Sequence, residues 1–213
     1  MKKLWVFGCS ISDLYDSETS LYYWSKEYLK WKGYTPKHYS QLIAEELGCE
    51  LKNFGVSSTN NYAILQLICD NIENISNDDY VIIQWTESTR FRLSDDDNNW
   101  VNFIFKNSQN KNELKNNRSV SIQTIQEILV NRTNTIYDDE ILSWEKLLKI
   151  KLNRDNLIMW NPFKNVGEYG KLLKSIENIA TETNGVIDDP HFSEIGQIHL
   201  TKILLNKTKK DII

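Results

Sequence analysis

Cysteine and histidine are scarce in this chain, three of each among 213 residues. Cys9, Cys49 and Cys69 form no CxxC pair and cannot all be joined as disulfides, and the histidines are dispersed, so no metal site is expected. That usage suits a reducing compartment, with Cys49 and Cys69 as ordinary core residues. Long apolar runs are missing as well: the longest are four or five residues, too short to span a bilayer. An excess of positive charge is missing, the net charge being −4, which gives no nucleic-acid footprint. The one basic cluster, Lys207, Lys209 and Lys210, reads as a solvated helix end. A secretory leader needs an apolar stretch of about 7–15 residues before a small-residue cleavage site. Only Leu4–Phe7 precede Gly8, and bulky Phe7 occupies the cleavage position, so a cytoplasmic protein is expected, free or riding on a larger assembly. No glycine-rich phosphate fingerprint follows this stretch, which disfavours a nucleotide-binding protein.

What is present suffices for a sizeable core. Hydrophobic residues make up 40% and aromatics 11%, and no repeat or linker divides the chain, so 1–213 reads as one domain. Apolar runs alternate with helical periodicity, the signature of an α/β protein with a parallel sheet. The predicted strands are 3–8, 50–54, 80–85, 156–160 and the short 185–188. They lack in/out alternation, as strands covered on both faces do. Predicted helices include TPKHYSQLIAEEL, with Thr35 as N-cap and Gly48 past its end, and a segment with Ile64, Ile68, Ile72 and Ile75 on one face. Further helices are expected in DDEILSWEKLLKIKL, in EYGKLLKSIENIATETNG, and after Ser193. Two insertions interrupt the alternation, at about 15–35 and 92–119. The first is aromatic-rich, the second polar and rich in asparagine. Both would emerge where α/β sheets carry their ligand crevice; the aromatics equally suit covering exposed core.

Three stretches at strand ends carry the residue types of nucleophilic acyl transfer. Gly8-Cys9-Ser10 follows the first strand, Asn53-Phe54-Gly55 ends the second, and Asp188-Asp189-Pro190-His191 follows the fifth. Together they offer a hydroxyl, a glycine amide and a carboxylate–imidazole pair at one end of one sheet. Three residues around a proline turn would let Asp188 fix one ring nitrogen of His191 while the other faces a hydroxyl, with Asp189 as the competing carboxylate. His38, within a helix, and His199 are read as surface or packing residues.

On these residues the chain resembles the SGNH (GDSL-type) hydrolase family. Phe7-Gly8-Cys9-Ser10 is similar to its first block, Gly55 in NFGVSS to its second, and DDPHFSEIGQIHL, with Gly196, to its last. The resemblance covers residues 4 to about 205. It implies a three-layer sandwich, with a flavodoxin-like central parallel sheet of about five strands flanked by helices. It implies Ser10 as nucleophile, His191 as general base, Asp188 as its orienting partner, and the amides of Ser10 and Gly55 as oxyanion-hole donors. No metal or organic cofactor is implied.

The chain departs from the family twice. The third block, usually Gly-x-Asn-Asp, is replaced by VIIQWTESTRF. Glu87 stands nearest the asparagine's position, and an ionised carboxylate cannot donate to an oxyanion. Asn60 and Thr86 are the preferred substitutes, with Asn61, Ser88 and Arg90 as alternatives. Cys9 also replaces the usual aspartate. Its thiol is a competing nucleophile, but adjacent residues leaving a strand point apart, so Cys9 is assigned to packing beneath the Ser10 turn.

The expected function is therefore a serine esterase working through an acyl-Ser10 intermediate. Its substrate would be a small-molecule or carbohydrate ester, the sugar preference resting on the aromatic insertion; no nucleic-acid or membrane partner is expected, and the oligomeric state is open. The competing expectation is a glycan-binding or structural module that keeps the fold with little catalysis.

Overall fold

The computed structural model describes residues 1–14, 29–30, 32–86, 90–94, 100–104, 136–152, 155–161 and 194–210. Leu4–Phe7 do form a strand, β1 (Lys3–Gly8), buried from Leu4 onward. It is followed by α1 (Tyr39–Leu47), β2 (Glu50–Gly55), α2 (Asn61–Asn71) with a 3₁₀ turn at Ile72–Asn74, and β3 (Tyr80–Gln84). Then come β4 (Arg90–Ser94), β5 (Trp100–Ile104), α3 (Ile136–Leu152), β6 (Leu157–Trp160) and α4 (Glu194–Lys210). β1, β2, β3 and β6 make an all-parallel sheet in the order β2-β1-β3-β6, so the protein has an α/β fold with flanking helices. Gly8 pairs with Gly55 across β1 and β2, and Phe7 with Ile83 across β1 and β3.

Successive residues of a strand point to opposite faces, and here each face finds its own core. Leu4, Val6, Ile82, Ile158 and Trp160 pack with Tyr39, Ile43 and Ala44 of α1 and with Leu200, Leu204 and Leu205 of α4. Trp5, Phe7, Val81, Ile83 and Trp85 pack with Ile64 and Ile68 of α2 and with Ile141, Leu148 and Leu152 of α3. Each such side chain contributes roughly 1.5–3 kcal/mol on burial.

The N-terminal end of the sheet is pinned by one carboxylate. Asp79, buried just before β3, accepts hydrogen bonds from Lys3 N at 2.8 Å, Trp5 Nε1 at 2.9 Å and Ser76 N at 2.9 Å. Burial works to raise its pKa, but the three hydrogen bonds and nearby Lys3 outweigh it, and the carboxyl is held below its usual value.

Several expectations need correction. α1 begins four residues later than the proposed cap: its N-cap is His38, not Thr35, although Gly48 closes it in the left-handed conformation as expected. His38 therefore caps the helix rather than lying within it, and of the two readings, surface or packing, its full burial fits packing. The polar stretch after β3 is not wholly loop, because β4 and β5 pair antiparallel. Cys69 is exposed rather than part of the core. The predicted strand 185–188, the predicted helix from Glu168, Ser193 and most of both insertions lie outside the described residues.

Candidate functional site at the strand ends

Because β1, β2 and β3 run parallel, the residues that follow them emerge along one edge. The winding reverses there: the chain moves from β1 outward to β2, then returns to place β3 on the other side of β1. In open α/β sheets the crevice lies at such a reversal. Ser10 follows β1, Gly55 closes β2, and Thr86 lies two residues beyond β3, so all three belong to this edge.

Sterics dictate the turn after β1. A Cβ on Gly8 would fall 2.5 Å from Ser12 Oγ and 2.7 Å from Gln84 Oε1, so a side chain there would force both apart. The turn closes on the Cys9 carbonyl, which accepts from Ser12 N at 2.9 Å and Asp13 N at 3.0 Å. Half-buried Ser10 is thereby presented on a tight turn, its Oγ 3.9 Å from Cys9 Sγ.

Gln84, fully buried at the end of β3, locks this turn. Cys9 N–H can only donate and the Trp85 carbonyl can only accept, so the carboxamide has one orientation. Oε1 accepts from Cys9 N at 3.0 Å, while Nε2 donates to Trp85 O at 2.7 Å and to Cys9 Sγ at 3.1 Å. Oε1 also accepts from Ser12 Oγ at 3.0 Å. Ser12 has then spent its proton, so in the 2.6 Å contact between Ser12 Oγ and Tyr39 OH the phenol donates. Burial pushes the Tyr39 pKa far up, with the Ser12 hydrogen bond opposing, which keeps it a neutral donor.

Gly55 is also a steric requirement. A Cβ there would collide with the backbone of Ser12 and Asp13, because the β1 turn lies directly against the end of β2. Asp13 Oδ2 reinforces this contact by accepting from Ser57 N at 3.0 Å and Ser57 Oγ at 2.7 Å. The Gly55 amide donates to Asn53 Oδ1 at 2.8 Å, and Asn53 Nδ2 donates to Ser40 Oγ at 3.1 Å. Ser40 Oγ lies 2.7 Å from His38 Nδ1, and His38 Nε2 lies 2.8 Å from the Ile11 carbonyl. A carbonyl accepts only, so Nε2 carries the ring proton and Nδ1 accepts, both from the Ser40 hydroxyl and from Ser40 N at 3.2 Å. An unbroken relay thus runs from the Gly55 amide, through Asn53, Ser40 and His38, back to the Ser10 turn.

The two asparagines at the start of α2 are both in structural use. Asn60 is the N-cap, its Oδ1 accepting from Ala63 N at 3.0 Å. Asn61 clamps the backbone of Thr86: its Oδ1 accepts from Thr86 N at 2.7 Å and its Nδ2 donates to Thr86 O at 3.1 Å. Asn161, just past β6, adds a 3.3 Å donation to the same carbonyl. Thr86 itself is fully buried, and among the described residues its hydroxyl has no hydrogen-bond partner. At the rim stands Tyr62, 40% exposed, edge-on to Trp144 at 5.0 Å between centroids and donating to Glu140 Oε2 at 2.8 Å.

Ser10, Gly55, Asn60 and Thr86 therefore share the C-terminal edge of the sheet. Asp188 and His191 lie outside the described residues. α4 starts three residues after His191, and its Gln197 Oε1 accepts from Tyr39 N at 2.8 Å. Tyr39 is also the residue whose hydroxyl reaches Ser12, so α4 begins beside the Ser10 turn. Gln84, Ser12, Tyr39 and His38 were missed as parts of this edge, and Asn53 was placed there without a role. For Gln84 the signal was available: an uncharged polar residue closing an otherwise apolar strand, buried from Val81 onward, needs buried partners. No family model, no curated protein and no solved structure matches the chain.

Proposed function

We propose that the chain is a serine ester hydrolase of the SGNH type, built as a three-layer sandwich in which 185–188 supplies the fifth strand. The observation that carries this reading is the reversal of strand order beside a tight turn presenting Ser10, with Gly55 and the Thr86 hydroxyl, which has no partner among the described residues, along the same edge. In this reading Ser10 Oγ attacks the ester carbonyl carbon as its proton passes to His191, whose imidazolium Asp188 stabilises. The tetrahedral oxyanion accepts from the Ser10 amide, the Gly55 amide and the Thr86 hydroxyl. His191 then protonates the departing alcohol, and water, deprotonated by His191, releases the acid from acyl-Ser10.

Thr86 is taken as third donor because its hydroxyl is buried with no described partner; Asn60, whose Oδ1 caps α2, has only Nδ2 to offer as the alternative. The rim aromatics Tyr62 and Trp144 favour an O-acylated carbohydrate, since aromatic faces suit sugar rings. A fluorophosphonate probe tests the reading: it should label the wild-type protein on Ser10, and Ser10→Ala should abolish both labelling and p-nitrophenyl acetate turnover. Absence of both in folded wild-type protein would sink it.

One observation favours a second reading, a glycan-binding or structural module with little catalysis. The Gly55 amide already donates to Asn53 Oδ1, so an oxyanion must draw it away or share it. On that reading the probe labels nothing, and oligosaccharide binding is lost on Tyr62→Ala.

A further inference from the structure

The relay through His38 connects the two groups on which the proposed chemistry depends, and its proton order is fixed at every link. The ring is fully buried at the N-terminus of α1. Nε2–H holds the carbonyl of Ile11, the residue next to Ser10. Nδ1 accepts from Ser40, which through Asn53 fixes the orientation of the Gly55 amide. We propose that His38 is a positioning residue of this site: as an Nε2-protonated imidazole it holds the Ser10 turn and the Gly55 strand end in one register. Its functional meaning rests on the hydrolase reading; the relay itself does not.

A proton on Nδ1 is unfavourable at each link. It would face Ser40 N–H, donor against donor. The Ser40 hydroxyl would have to turn and accept from the ring while already accepting from Asn53 Nδ2, leaving its own proton without the nitrogen it now uses. The contacts of the ring therefore fit the Nε2-protonated tautomer, with Tyr39 packed against it at 4.4 Å between ring centroids.

Nuclear magnetic resonance on the intact chain decides this. At neutral pH the His38 nitrogens should show a proton on Nε2 and a bare, accepting Nδ1. His38→Asn is the informative variant, because asparagine keeps the helix cap but is too short to reach Ile11. It should retain the wild-type circular dichroism, displace the Gly55 and Ser12 amide signals together, and slow fluorophosphonate labelling by about tenfold. A proton on Nδ1, or a His38→Asn protein with wild-type amide signals, would overturn the proposal. If wild type and variant alike resist the probe, the hydrolase reading fails, and the amide signals still decide the role of His38.

Discussion

A single hydroxyl separates the competing demands of folding and chemistry on this edge. The Thr86 side chain is buried, yet its oxygen has no described partner, and leaving such a group unmade costs about 1–3 kcal/mol. Thr86→Val keeps the shape and removes the polar atom. Chemical denaturation should find the variant as stable as wild type or more stable by about 1 kcal/mol. Loss of one oxyanion donor should meanwhile lower ester turnover about 10²-fold. A variant that is strongly destabilised would mean the hydroxyl has a structural partner; one that is stable and fully active would remove Thr86 from the oxyanion hole. At this scale the sequence was half legible. Strand-end position drew attention to Ser10, Gly55 and Thr86, but glycine at 55 is also demanded by the backbone of Ser12 and Asp13, a collision that no spacing reveals. Side-chain identity likewise does not show that a cap has already claimed the Asn60 oxygen and so fixed how its carboxamide is turned.

Elements were legible where periodicity was strong. β1, β2, β3 and β6 were found by their apolar runs, and α2 by Ile64, Ile68, Ile72 and Ile75, of which all but Ile72 are buried and Ile72 begins the 3₁₀ turn. The start of α1 was misplaced because Pro36 resembles a first-turn proline, while His38 and Gln41 form the actual capping box. The β4–β5 pair was hidden by its polar surroundings. Asp79 provides the test at this scale, since it joins the entry of β3 to β1. Its folded pKa lies below its unfolded value, so the unfolded chain binds the proton more tightly. The stability it contributes is complete above the unfolded value of about 3.9 and is lost as pH falls through the folded value. Urea midpoints should decline across that acid window in the wild type, and that part of the decline should vanish in Asp79→Asn. An unchanged acid profile in the variant would show that Asp79 is not the linked group.

For the molecule as a whole, the two hydrophobic clusters sit on opposite faces of one four-stranded sheet. Ile68→Ala on one face and Leu204→Ala on the other should each cost about 2–5 kcal/mol. Because the sites share no partners, the double variant should equal the sum within about 0.5 kcal/mol, in one cooperative transition. Two separated transitions would show that the faces melt independently. The α/β class was legible because parallel strands covered on both faces lose the polar alternation of one-sided sheets. The strand order was not, since each pairing depends on which neighbour is reached in space rather than along the chain.

That order sets a timetable for synthesis. β1 leaves the ribosome first, yet its flanks are filled by β2 and β3, and β6 joins only some seventy residues after Gln84. Until then the nascent chain carries a bare, strongly apolar ribbon, so slow folding and dependence on chaperone shelter are expected in proportion to those long-range pairings.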